Sequence, residues 1–255
     1  MMSFNDLKFR AAYWLVGKLD RHKEIHFMNY GYSHPDEKHD LHKSEEKNRY
    51  SIQLYKHLID YVDLAKKDIV EVGSGRGGGL AYIAKNYDAK TISGIDLDKG
   101  AVAFSNSHYK FSNLSFKTGD AQNLPLPDDS CDILLNVESS HRYPQRDRFL
   151  NEVTRVLRKG GHFLYTDFLF DHEWDGTDEL LRKYNLKLLR TQDITNRVIR
   201  ALEMNDQMNR AIVKKLAPGF LQKTMLNFAG VIDSETYNNF LERRYVYRSY
   251  VFQKY

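Results

Sequence analysis

The apolar run Asp-Ile-Val-Glu-Val at 68–72 ends directly in a glycine-rich turn, Gly73-Ser74-Gly75-Arg76-Gly77-Gly78-Gly79. No other stretch restricts the fold as strongly. A strand that stops in such a turn and feeds a helix lets ligand and backbone approach closely and delivers the ligand to a helix N-terminus. The same grammar then repeats. Residues 91–96 read as a second strand followed by a helix at 101–108, residues 114–118 as a third strand, and 131–137 as a fourth. A helix carrying Leu150, Val153, Val156 and Leu157 is expected to stop at Lys159-Gly160-Gly161, before a fifth strand at 162–167. Alternating strands and helices predict a parallel α/β sheet.

Residues 186–190 and 245–252 are two further strand candidates, and a helical, Met- and Asn-rich stretch at 195–240 lies between them. Upstream, Phe4, Leu7, Ala11, Trp14 and Leu15 fall near helical spacing. A polar loop follows, and a helix from Arg49 puts Tyr50, Leu54, Tyr55, Leu58 and Val62 on one face. The expected organisation is a helical lid at 1–49, a core at 50–194, a helical cap at 195–240 and a final core strand at 241–255. With 255 residues and 42% hydrophobic content the chain suits one large domain with one core. A net charge of +4 is too small for a nucleic-acid footprint. The single cysteine, Cys131, rules out an internal disulfide and a multi-thiolate zinc site. There is no apolar run of membrane-spanning length and no secretory-signal pattern at 1–20, so a cytoplasmic protein is expected.

The glycine spacing itself is ambiguous. Gly73, Gly75 and Gly78 satisfy the spacing of dinucleotide binders, while Glu71, Gly73, Gly75 and Gly77 satisfy that of S-adenosylmethionine binders. Three downstream features narrow the choice. Asp96 ends the second strand, where a carboxylate can accept both hydroxyls of a ribose. Gly119-Asp120-Ala121 follows the third strand, where a carboxylate can accept from an adenine amino group. Asn136-Val137-Glu138 closes the fourth strand, at the carboxyl edge where open α/β sheets bind ligands. Taken singly, Gly119-Asp120 also reads as an ordinary turn, and Asp96 or Asp98 as a helix N-cap.

In this order the motifs, spanning about residues 49–168, resemble those of class I S-adenosylmethionine-dependent methyltransferases. Four stretches resemble a narrower group, the phthiotriol/phenolphthiotriol dimycocerosate methyltransferase-like enzymes: 26–32 (HFMNYGY), 49–55 (RYSIQLY), 71–79 (EVGSGRGGG) and 136–144 (NVESSHRYP). Ser74 and Arg142 depart from it, standing where cysteines are expected. The resemblance implies a Rossmann-like, seven-stranded, mainly parallel sheet whose last strand is antiparallel, with a helical cap. It also implies S-adenosylmethionine as cofactor and a hydroxyl of a small lipid-like, polyketide or phenolic molecule as acceptor. The cofactor contacts expected are Glu71, Gly73, Ser74, Gly75, Gly77, Asp96, Leu97, Asp120, Ala121, Asn136, Val137 and Glu138. Tyr30, Tyr32, Tyr50 and Tyr55 are candidates to close over the cofactor, and Gln53 for a polar contact to its methionine part. Carbon or nitrogen methylation, or cofactor binding without transfer, stay open as alternatives.

Transfer to a hydroxyl needs a base near neutral pKa, which points to histidine. Of ten histidines, His141 is the best placed, four residues beyond the fourth strand, although it could equally cap the helix that follows. His34, His39 and His42, irregularly spaced among acidic residues on a polar loop, read as solvated, so no metal is expected. After the fourth strand Asn136-Val137-Glu138-Ser139 lacks the Pro-Pro-aromatic stretch that stacks a flipped base, which argues against a DNA substrate. The amphipathic N-terminal helix allows at most peripheral membrane contact.

Overall fold

The structure, a computed structural model, describes residues 19–20, 23–34 and 41–255. The helix expected at 1–20 lies almost entirely outside these residues. Seven strands form one sheet in the order β3-β2-β1-β4-β5-β7-β6. They are β1 (Asp68–Val72), β2 (Thr91–Asp96), β3 (Leu114–Thr118), β4 (Cys131–Val137), β5 (Leu157–Phe170), β6 (Leu186–Asp193) and β7 (Tyr245–Lys254). β1 pairs in parallel with both β2 and β4, β4 pairs in parallel with β5, and β7 runs antiparallel between β5 and β6. Chain order therefore reverses direction at β1 and β4. In an open sheet the crevice at such a switch point, beyond the carboxyl ends of the strands, is where a ligand binds.

β1 is buried along its whole length, because helices cover both faces of a parallel sheet. Alternate residues feed opposite cores: Ile69 and Leu135 pack in one cluster, Val70 and Leu134 in the other. Among the described residues the helices are α1 (Arg49–Ile59), α2 (Gly78–Asn86), α3 (Lys99–His108), α4 (Arg146–Val156), α5 (Trp174–Leu181), α6 (Thr195–Leu216), α7 (Gly219–Phe228) and α8 (Glu235–Leu241). The last three fill the chain between β6 and β7.

Three local features differ from the sequence pattern or are absent from it. The helix predicted to reach Lys159 ends at Val156, and β5 begins at Leu157, which pairs with Cys131. The register slips before Ile133 meets His162, and Gly160, at φ +80°, takes up the slip. So this glycine pair bends a strand instead of ending a helix. α5, built around the fully buried Trp174, was not anticipated. Finally, 23–34 contains no helix. Its backbone is tied to the core instead: Tyr32 N–H donates to Tyr50 O (2.9 Å), and Ser33 N–H to Arg197 O (3.1 Å).

Candidate active site

Gly73, Gly75 and Gly77 all have positive φ (76°, 52° and 74°), so the turn after β1 uses the glycines at the positions where L side chains are strained. Gly73 and Ser74 N–H groups donate to Ile95 O (2.8 and 3.2 Å), fixing the turn against the end of β2. A Cβ on Gly73 would lie 1.9 Å from Ser139 Oγ, and one on Gly77 would lie 2.5 Å from the Phe116 ring. Gly75 faces open space, and its N–H donates to Asp96 Oδ2 at 2.7 Å. Asp96 Oδ1 accepts from Asp98 N–H at 2.8 Å. The helix cap is Asp98, which accepts from Gly100 and Ala101, so Asp96 is left to face the glycine turn. Leu97, beside it, is exposed.

Asp120 closes a tight turn, its Oδ1 accepting from Gln122 N–H (2.9 Å), with Ala121 buried behind it. At the end of β4, Asn136 is fully buried and donates through Nδ2 to Val72 O (2.8 Å) and the Tyr143 hydroxyl oxygen (3.0 Å). Val137 is buried, and Glu138 adopts a positive φ of 47°. Glu138 Oε1 accepts from Tyr30 N–H (2.8 Å) and the Tyr247 hydroxyl (2.6 Å). Six buried side-chain polar atoms have no hydrogen-bond partner among the described residues, and besides Asn29 Oδ1 and Arg76 Nε they are Gln53 Oε1, Glu71 Oε2, Ser74 Oγ and Asn136 Oδ1. Buried acceptors of this kind call for donors. An α-ammonium group next to a ribose that suits Asp96 supplies them, so the residues present fit S-adenosylmethionine.

Both glutamates are unusual acids. Burial pushes the Glu71 carboxyl up to about 8, with the Tyr55 hydroxyl bond (2.6 Å) pulling the other way and Asp96 adding to the rise. Burial also pushes Glu138 up to about 8, against the Tyr247 and Tyr30 bonds. Between about pH 4.5 and about 8, and with no ammonium group against Glu71, each folded carboxyl therefore holds a proton that the unfolded chain releases. Stability should fall as pH rises from about 4.5 through about 8 and then level off. Glu138→Gln, which keeps an acceptor oxygen, should flatten the decline in melting temperature measured between pH 6 and pH 9. A slope equal to the wild type's would count against a protonated Glu138.

A further polar contact in the crevice joins the end of β4 to β5. His141, in the 3-10 turn after β4, has its Nδ1 2.7 Å from Asp167 Oδ1, while Asp167 Oδ2 accepts from His141 N–H (2.9 Å) and the Ser140 hydroxyl (2.8 Å). Burial raises the Asp167 carboxyl, but the His141 and Ser140 contacts outweigh it and hold it below the usual range. An ionised Asp167 keeps the imidazole proton on Nδ1 and leaves Nε2 as the basic nitrogen. Arg142 Nε–H donates to that Nε2 at 2.9 Å. The His141 ring stands 4.6 Å from the Phe168 ring.

The sequence reading did not assign Asp167 a role. The available signal was its position at the carboxyl end of a strand next to β4. Arg76 was missed too. It is buried, pairs with buried Asp20 at 2.9 Å, and lies 3.7 Å over Phe104, tethering the segment before His26 to the glycine turn. The tyrosines part company. Tyr55 holds Glu71, and Tyr30 packs on Phe168 (5.4 Å) beside Glu138. Tyr32 stacks on His57 (4.5 Å) within the core, and Tyr50 lies against Gly31.

The family description "Methyltransferase domain" matches residues 70–165. The fatty-acid O-methyltransferase of Mycolicibacterium smegmatis is 38% identical over 91% of this chain and 84% of its own length. The chain belongs to the class I S-adenosylmethionine-dependent methyltransferases. The phthiotriol/phenolphthiotriol dimycocerosates methyltransferase of Mycobacterium tuberculosis is 36% identical, over 91% of this chain and 86% of its own. Among solved structures, the cyclase SpnF aligns with a TM-score of 0.74 at 17% identity, covering 97% of this chain and 94% of that one. Geranyl diphosphate C-methyltransferase from Streptomyces coelicolor aligns at 0.68 and 12%, covering 97% and 98%. At such identities these two structures speak for the fold alone. The methyltransferase uses S-adenosylmethionine, and no helix among its described residues is long and apolar enough to cross a membrane.

Proposed function

We propose that this methyltransferase methylates an oxygen of a small lipid-like, polyketide or phenolic molecule, with His141 taking the acceptor's proton. The His141–Asp167 pair carries the reading. Glu71, Ser74, Asn136 and Gln53 would surround the methionine end of the cofactor, Asp96 its ribose, and Leu97, Asp120 and Ala121 its adenine. Gly73, Gly75, Gly77 and Val137 would shape the floor, with Glu138, Tyr30 and Tyr50 completing the surround of the cofactor. The cofactor supplies a methyl group already activated by its sulfonium, so much of the remaining work is alignment. His141 does the rest. The acceptor hydroxyl would displace the Arg142 Nε–H from Nε2 and give its proton to Nε2 as its oxygen gains the methyl group, the cofactor leaving as S-adenosylhomocysteine, and Asp167 would steady the resulting imidazolium. Phe168 and Tyr30 wall the site and exclude water.

The two relatives above, named for a fatty acid and for a phthiotriol lipid, support a lipid-like acceptor. The Arg142 guanidinium beside His141 favours a second form of the same reading, in which a carboxylate is the acceptor and no proton needs removing. The protein would act in the cytoplasm on a small molecule, not on nucleic acid, and meet a membrane at most at its surface. A matched panel of long-chain alcohol, acid and amine, followed by release of S-adenosylhomocysteine, tests the proposal. Turnover on an oxygen acceptor is the expected result, and turnover on the amine alone would overturn it.

A further inference from the structure

Between Asp206 and Asp233 the chain carries four basic residues, Arg210, Lys214, Lys215 and Lys223, and no acidic one. This stretch forms the second half of α6, the whole of α7 and the corner that joins them. Hydrogen bonds close the corner. Val213 O accepts from Ala217 N–H (2.8 Å), Pro218 O from Leu221 N–H (2.8 Å), and Ala217 O from the Gln222 carboxamide (3.2 Å). Beneath it Val213, Ala217 and Met225 form a small apolar cluster, with Leu221 packed against them.

The outer side of the corner is different. Phe220 is 84% exposed, more than any other large hydrophobic side chain among the described residues. It shares the outer face of α7 with the exposed Lys223 and Thr224, three and four residues on, while Met225 is buried on the inner face. Pro218 and Gly219, exposed as well, give the ring no cover. Two of the four cations are matched by acids, Arg210 by Asp206 and Lys215 by Glu24. Lys214 and Lys223 have no acidic partner among the described residues, so the corner keeps a positive charge close to an uncovered phenyl ring.

The surroundings of the ring decide what would cover it. A stable dimer buries about 800 Å² on each partner, whereas one phenylalanine offers about 200 Å², and its neighbours here are small or polar. A lipid headgroup layer yields to a single projecting ring and, where it is anionic, attracts the lysines beside it.

We propose that the α6–α7 corner docks on an anionic lipid surface, with Phe220 inserted below the headgroups and Lys214 and Lys223 against the phosphates. The corner shares no residue with the cofactor crevice, and the inference stands whichever atom is methylated. Co-sedimentation of the full chain with vesicles tests it, using phosphatidylcholine alone against phosphatidylcholine and phosphatidylglycerol in equal parts. The wild type should partition onto the mixed vesicles about tenfold or more better than onto the neutral ones, and salt raised from about 0.05 M to about 0.5 M should release it. Phe220→Asp should weaken partitioning by about tenfold or more, and so should Lys214→Glu combined with Lys223→Glu. Affinity for S-adenosylmethionine, measured by calorimetry, should stay within about twofold in both variants, which shows that they fold. Partitioning equal to the wild type's in F220D would overturn the proposal, as would a wild type with no preference for the anionic vesicles. A wild-type dimer that F220D dissociates in light scattering would overturn it too, and would make the corner a face between copies of this chain.

Discussion

Changing His141 to glutamine is expected to lower turnover on a hydroxyl acceptor by about 10²–10⁴-fold, the usual contribution of a placed base. Affinity for S-adenosylmethionine should change by less than about twofold. Glutamine keeps a polar side chain of similar reach but cannot take a proton from the acceptor. The contacts read as holding the cofactor, at Glu71, Asp96 and Asn136, lie elsewhere. A loss confined to kcat, with KM for the acceptor and affinity for the cofactor retained, separates a base from a merely structural residue. Asp167→Asn should reproduce much of the loss, because an amide cannot hold the Nδ1 proton and stabilise the imidazolium as an ionised Asp167 does. A carboxylate acceptor should be largely spared in both variants, having no proton to lose. Unchanged turnover of H141Q on an alcohol would remove His141 from the mechanism.

The second large effect belongs to Asp96. Asp96→Ala should weaken S-adenosylmethionine and S-adenosylhomocysteine binding together by about 10²–10⁴-fold. Hydrogen bonds to a charged group are worth about 1.5–3 kcal/mol each, and the two ribose hydroxyls offer two of them. The loss of the Gly75 N–H contact adds to this, because it frees the turn at the one glycine that faces open space. The α3 cap at Asp98 keeps its own acceptor, so the fold should survive. Calorimetric titration of wild type and variant is the measurement. An unchanged affinity, or binding of NAD in place of the methionine cofactor, would mean that the crevice holds a different ligand.

The sheet was legible because each strand announces itself locally. Apolar runs at 68–72, 91–96 and 131–137 end in glycine or a carboxylate, and only a parallel sheet covered on both faces suits them. What local pattern could not supply was long-range pairing. β5 is extended by its pairing with β7 as far as Phe170↔Tyr245, and the slip absorbed at Gly160 lets it start early. Neither shows in the sequence around Gly160-Gly161, which reads equally as a helix stop. The site divides in the same way. Glycines and carboxylates at strand ends were visible, because their spacing along the chain is their geometry. Asp167 lies 26 residues from His141, and the Tyr247 that holds Glu138 lies 109 residues away, so only the folded sheet brings these partners together. Tyr32 shows the converse error. Its aromatic neighbours in sequence suggested a lid, but packing on His57 takes it into the core.

The fold by itself does not decide the chemistry, since it is shared with a protein named as a cyclase. Transfer to oxygen at His141 is tested by the position of the label after turnover with deuteromethyl S-adenosylmethionine on a long-chain hydroxy acceptor. One labelled methyl group, placed on oxygen by fragmentation, and little product from H141Q under the same conditions are expected. A label on carbon or nitrogen, or full product from H141Q, would contradict that assignment.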